Sequence, residues 1–132
     1  MDGYSRALFD ATNARRASVG LPPLRENGYL NANAHLRSQE MADYNYFAHE
    51  SPITGDNVFG LMDQYGVPYG WAGENLAKNN YADDETVGVA DEALWKSPSH
   101  HANIVNANYT QVGIALVVDS SGMKYFTIVF TD

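Results

Sequence analysis

The sequence predicts an α+β fold with its helices ahead of most of its strands, an order that argues against a parallel α/β sheet. Two observations carry this prediction. Apolar positions recur at helical spacing in successive segments as far as Trp95. Residues 111–119 and 124–131 are rich in β-branched and aromatic residues and meet at Ser120-Ser121-Gly122, the pattern of an antiparallel hairpin.

Within residues 4–18, Tyr4, Leu8, Ala11 and Ala14 form the inner stripe of a first helix, leaving Arg6, Arg15 and Arg16 for its outer faces. Gly20 stops it near Val19, and Leu21-Pro22-Pro23-Leu24 is an extended crossing. Asn27 caps a second helix that runs through Leu30, Ala34, His35 and Met41 to about Tyr44, with Arg37 and Glu40 among its polar positions. Ser51-Pro52 and Thr54-Gly55-Asp56 are turn chemistry, so His49 stands at a loop entrance. Val58, Leu61, Met62 and Tyr65 make a short amphipathic helix stopped by Gly66 and Pro68.

Residues 72–77 are a short strand or extended bend, in which Gly73 permits close backbone approach and Leu76 is an apolar anchor. Asp83 or Asp84 caps the next helix, whose stripe is Val87, Ala90 and Leu94 and which ends at Trp95. Pro98 suits the first turn of a further short helix capped by Ser97, with His100 on the face of Asn103 and Ile104. In the hairpin, Val112, Ile114, Leu116 and Val118 alternate onto one face.

A chain of 132 residues accommodates one domain with a real core, so residues 1–132 are expected to form a single domain, and a monomer. Hydrophobic residues at 45% are ordinary for a soluble globule. The net charge of −8 repels phosphate backbones and anionic membrane surfaces, which excludes nucleic acid as a partner. With no cysteine, neither disulfides nor thiolate metal sites arise. The start Met1-Asp2-Gly3-Tyr4 lacks the basic and apolar regions of a signal peptide, and no run approaches the ~18–20 apolar residues of a membrane span. The chain is therefore expected to be cytosolic or a mature secreted domain.

Five segments in order carry a resemblance. His49 in Phe47-Ala48-His49-Glu50-Ser51-Pro52, then Gly73-Glu74-Asn75-Leu76, Trp95 with Ser97-Pro98-Ser99-His100, Asn103-Ile104, and Val112-Gly113-Ile114-Ala115 together resemble the CAP superfamily. This is the SCP/TAPS group of cysteine-rich secretory, antigen 5 and pathogenesis-related 1 proteins, here in a short, cysteine-free bacterial form. Asn13-Ala14-Arg15 and Gly20-Leu21-Pro22-Pro23-Leu24 extend the likeness to nearly the whole chain.

The resemblance implies an α-β-α sandwich with an antiparallel sheet between helical layers, and a secreted or envelope location. It also implies a central cleft in which the family's histidine and glutamate positions map onto His49, Glu74 and His100. Members with the full set have been linked to divalent metal, often zinc, and some bind sterols or other lipids. A second glutamate of the fuller pattern, three positions after the tryptophan, is here Pro98. Glu92 replaces it only by turning inward, and His101 stands where related bacterial sequences often have arginine.

Two neutral imidazoles and a carboxylate are the ligand types of an open zinc site, in which the metal acidifies a water or polarises a carbonyl. The expected function is a binding or interaction module whose His49, Glu74 and His100 take zinc and a small ligand. The alternative is a metal-dependent hydrolase of peptide or envelope polymer, with Glu74 as base or ligand. The same three residues are equally well a hydrogen-bond cluster, in which Glu74 accepts backbone N–H groups and the histidines are its partners. His35 is expected to be structural or solvated, and His101 to point away from His100. A serine hydrolase built on Ser97 or Ser99 is disfavoured, because sequence neighbours rarely face each other and no Gly-x-Ser-x-Gly elbow occurs. Tyr65, Tyr69, Trp71 and Tyr109 are candidates to line a cleft for lipid, glycan or peptide, though core and half-buried surface are the more ordinary places for such rings.

Overall fold

The computed structural model describes residues 1–132. Along the chain run α1 (Gly3–Ser18), β1 (Arg25–Glu26), α2 (Gly28–Tyr44), α3 (Val58–Gln64), β2 (Ala72–Asn79), α4 (Thr86–Lys96), α5 (Pro98–Ile104), β3 (Gln111–Val118) and β4 (Lys124–Thr131). The strands form one sheet in the order β1-β3-β4-β2. β4 is antiparallel to both of its neighbours, β3 and β2, as expected, and the two-residue β1 adds to β3 in parallel.

Side-chain alternation divides the core between the two faces of this sheet. Val112, Ile114 and Leu116 of β3 and Phe126, Ile128 and Phe130 of β4 point to one face, where Leu8 of α1, Leu94 of α4 and Ile104 of α5 cover them. Ala115 and Val129 point to the other, against Leu30 and Ala34 of α2 and Val58 and Met62 of α3. β4 is buried along its whole length. The single apolar face expected of the hairpin is therefore two faces, and Val118, 48% exposed, lies beyond the helical cover. Close packing fixes Gly113: a Cβ there would stand 2.1 Å from the Leu30 carbonyl carbon, so glycine lets α2 lie directly on β3.

The helix ends follow local chemistry with two exceptions. Asp2 caps α1 by accepting from the Ser5 N–H, and Asn27 caps α2 by accepting from Tyr29 and Leu30. α4 instead begins at Thr86 behind Glu85 with no side-chain cap, because Asp83 faces Lys124 Nζ at 3.5 Å. Ser97 precedes α5 without capping it, since its hydroxyl is engaged by His100.

Arg16 corrects the sequence reading more deeply. It is fully buried, not on an outer face. Its guanidinium donates to the carbonyls of Pro22 at 3.0 Å, Ile104 at 2.9 Å, Asn106 at 3.0 Å and Tyr109 at 3.3 Å. These acceptors lie at the last turn of α5 and in the irregular segments around it, where most carbonyls have no helix or sheet partner. Arg16→Ala strands three of them at once, Asn106 keeping the Tyr109 N–H, and we expect a loss of about 3 kcal/mol or more in urea unfolding, with Arg16→Lys recovering only part.

Candidate functional site

Glu74 is the centre of the site. It sits on β2 with its side chain 3% exposed, and two cations reach it from elements earlier in the chain. Arg37 of α2, equally buried, donates from Nε to Glu74 Oε2 at 3.0 Å and from Nη2 to Oε1 at 3.4 Å. His49 donates from Nδ1 to Glu74 Oε1 at 2.8 Å. Arg37 was read from the sequence as one of the polar positions of the second helix. It stands on that helix's inner face because it recurs with Leu30, Ala34 and Met41, and that placement is the signal that could have found it.

The same guanidinium builds the loop that carries His49. Arg37 donates to the Tyr46 hydroxyl at 3.0 Å and to the Ala48 carbonyl, while Glu40 accepts from Tyr46 at 2.7 Å and from the Ser51 hydroxyl. Asn45 turns the chain out of α2 in the left-handed region, φ 52°. His49 thereby leans on Glu74 with 62% of its side chain still exposed.

α5 approaches β2 from the other face. Asn75, the neighbour of Glu74, donates to the His100 carbonyl at 3.0 Å. Asn103 donates to Asn75 Oδ1 at 2.8 Å and to the Glu74 carbonyl at 3.4 Å, and itself accepts from the Tyr109 hydroxyl at 3.3 Å. This clamp explains Gly73, where a Cβ would fall 2.4 Å from the Tyr109 hydroxyl oxygen and 2.9 Å from Asn103 Oδ1.

A cavity of about 490 Å³ opens here, bounded by His49, Val58, Phe59, Gly73, Glu74 and Asn103. Of the residues proposed from sequence, His49 and Glu74 are in direct contact and line it. No hydrogen bond joins His100 to either; its Nδ1 pairs with Ser97 Oγ at 2.7 Å. Ser97 and His100 therefore do face each other across the first turn of α5, contrary to the sequence expectation, as N-cap and N3 residues can.

Glu92 is not a substitute carboxylate, because it turns outward to Arg15 at 2.8 Å and Lys96 at 3.0 Å. His101 packs on Trp95 with ring centroids 4.0 Å apart. Tyr109 is buried against Phe130, Tyr65 and Trp71 are more than half exposed, and none of the four aromatic residues singled out from sequence lines this cavity. Phe59, passed over in the sequence, does.

The comparisons with known proteins bear on this geometry. The family model described as "CAP: Cysteine-rich secretory protein family" matches residues 9–130. The chain belongs to the CAP family. This CAP chain is 37% identical over 121 residues to the uncharacterized protein YkwD of Bacillus subtilis (strain 168), covering 92% of the chain and 45% of the relative. It is 30% identical, at a TM-score of 0.84, to an extracellular protein from Bacillus anthracis str. Ames that contains an SCP domain, covering 98% of the chain and 40% of that one. An outer surface protein of Borrelia burgdorferi shares the fold at a TM-score of 0.88 and 16% identity, over 99% of the chain and 93% of its own. The CAP chain spans less than half the length of the curated relatives it matches. No helix in it is long and apolar enough to cross a membrane.

The imidazoles of His49 and His100 are pushed in opposite directions. The hydrogen bond to Glu74 raises the pKa of His49 above the ordinary 6.5, against the opposing effect of burial. Burial, helped by the charge of His49, lowers that of His100. The His49–Glu74 contribution to stability is therefore complete below about pH 6.5 and fades as pH rises through the higher folded value. For His100 the sign reverses: its buried ring penalises the fold as pH falls below about 6.5. An NMR titration of the ring protons should find His49 titrating above His100, with Glu74→Gln lowering His49 and leaving the order compressed.

Removing one partner of the buried pair should be severe. Arg37→Ala leaves Glu74 uncompensated and is expected to cost about 3–5 kcal/mol in urea unfolding, whereas Arg37→Met with Glu74→Leu should recover much of the loss.

Proposed function

We propose that this CAP domain is a secreted binding module whose cleft takes a small ligand and a divalent metal, zinc being the first candidate. The observation that carries the reading is how the two imidazoles spend their nitrogens. His49 uses Nδ1 on Glu74, and His100 pairs Nδ1 with Ser97 Oγ, so that its Nδ1–H tautomer likewise keeps Nε2 for an external ligand. A histidine oriented by a carboxylate behind it is the arrangement that sets a metal-binding tautomer.

We assign the metal to the two histidines and not to a three-ligand set. No group of three His, Asp or Glu residues is gathered for a metal ion. Glu74 already accepts from Arg37 and His49, which makes it the group that orients His49. Zinc held at His49 and His100 with its other positions open would supply Lewis acidity to a bound carbonyl or water. The hydrolase alternative needs Glu74 as a base, and both of its oxygens are already engaged, Oε2 by Arg37 and Oε1 by His49. A lipid ligand is poorly matched by a cavity to which only Val58, Phe59 and Ala72 bring hydrophobic side chains. Support for an extracellular setting comes from the Bacillus anthracis protein, which is described as extracellular.

Calorimetric titration of zinc into metal-stripped protein near pH 7 tests the reading. Saturable binding is expected, lost in the His49→Ala/His100→Ala double variant and weakened about 10–100-fold by Glu74→Gln. Absence of binding to the unaltered protein would remove the metal from the proposal.

A further inference from the structure

The structure assigns a ligand class to this cleft: we infer that it receives an extended polypeptide segment, which adds as a fifth strand to the open edge of β2. The inference rests on the reading of the cleft as a binding site and supplies what that reading leaves open.

β2 is an edge strand, hydrogen-bonded only to β4. The register settles which of its backbone groups are spent. Thr131 of β4 turns its carbonyl to β3, where it accepts from the Thr110 N–H, while Asp132 donates to the Trp71 carbonyl beyond β2. Alternation along the paired strands then directs Gly73, Asn75, Ala77 and Asn79 to β4 and turns Ala72, Glu74, Leu76 and Lys78 away from the sheet. Only one protein group reaches these outward positions, Asn103 Nδ2 at 3.4 Å from the Glu74 carbonyl. Glu74 and Leu76 are themselves 7% and 5% exposed. Their outward N–H groups have no protein acceptor.

The other edge of the sheet is treated differently. β1 pairs with Gln111 and Val112, and Asn31 Oδ1 accepts from the Ile114 N–H, so the first half of β3 is blunted. β2 has no strand beside it and a single side-chain contact, that of Asn103 on the Glu74 carbonyl, and the 490 Å³ cavity lies along its Ala72-Gly73-Glu74 stretch. Glu74 and Asn75 project to opposite faces, so the loop of His49 and the helix of His100 flank this edge from its two sides. A strand laid on β2 passes the His49 imidazole, and Val58 and Phe59 offer an apolar wall to one of its side chains. Main-chain pairing supplies the affinity and that wall the side-chain preference. A glycan has rings to stack on Phe59 but no alternating donors and acceptors for a strand edge.

The test uses the 15N-labelled protein and three blocked hexapeptides in which Val alternates with Thr, Lys or Asp, each beside a version N-methylated at alternate residues. Saturable shifts of the Glu74 and Leu76 amides are expected with at least one peptide. N-methylation should weaken that binding about tenfold, the effect of losing one to two main-chain hydrogen bonds. Silence at both amides with every peptide overturns the inference, as does binding indifferent to N-methylation. Chitotriose shifting Phe59 while the peptides stay silent overturns it in favour of a glycan. Zinc titrated into the same sample separates the two levels. Zinc shifts at His49 and His100 without peptide binding leave the module reading standing and the strand-addition inference lost, whereas a protein silent to zinc, glycan and peptides loses both.

Discussion

An ionised carboxylate at 3% exposure is stable only when its charge is met at close range, and that requirement at Glu74 organises the site. Arg37 meets it from α2 and His49 from the loop beyond. Because Arg37 also holds Tyr46 and Ala48, satisfying Glu74 and shaping the loop are one event. β2, α2 and the His49 loop cannot relax independently while that charge stays buried. The cleft inherits its rigidity from this coupling, and His49 inherits both its orientation and its raised pKa.

Arg16 repeats the device at a second place without a carboxylate. Its four carbonyl partners lie in the Pro22 crossing and in the segment from Ile104 to Tyr109, so one side chain joins α1 to the end of α5 and the approach to β3. Both arginines use a planar fork of donors to serve backbone that has left regular structure. Elsewhere a carbonyl in an irregular segment is hydrated; here it is buried and needs a donor built into the sequence. Together the two guanidiniums hold the loop of His49 and the helix of His100, the pieces on either side of β2.

The sheet completes this division of labour. Its central strand, β4, is covered on both faces and carries no chemistry, while the site is assembled at the β2 edge, where main-chain groups and side chains from both helical layers meet. The Asn75, Asn103 and Tyr109 clamp brings α5 so close that only glycine fits at position 73. Edge strands invite unwanted pairing, and natural sheets cover or charge them. An edge left open beside two imidazoles and a cavity is consistent with use.

Most elements of this fold were legible in the sequence because their causes are local. Asn27 caps α2, the Pro98 turn begins α5, and the β3–β4 hairpin announces itself by composition and spacing. The CAP resemblance likewise rested on short segments in order, and it carried the sandwich with it. Of the site, His49 and Glu74 were legible as residues, but their contact was not, nor that His100 would bond to Ser97 and not to Glu74. Arg37 and Arg16 were assigned to the polar side of their helices on the ordinary rule that charge seeks water. Their burial depends on partners 37 and 88 residues away, Glu74 and the Ile104 carbonyl, which no local pattern reveals. The sequence by itself determined where most helices and strands lie, since caps, periodicity and turns act over a few residues. Only the tertiary structure decided which charges lie inside and which strand edge stays open, because both depend on what distant segments bring to meet them.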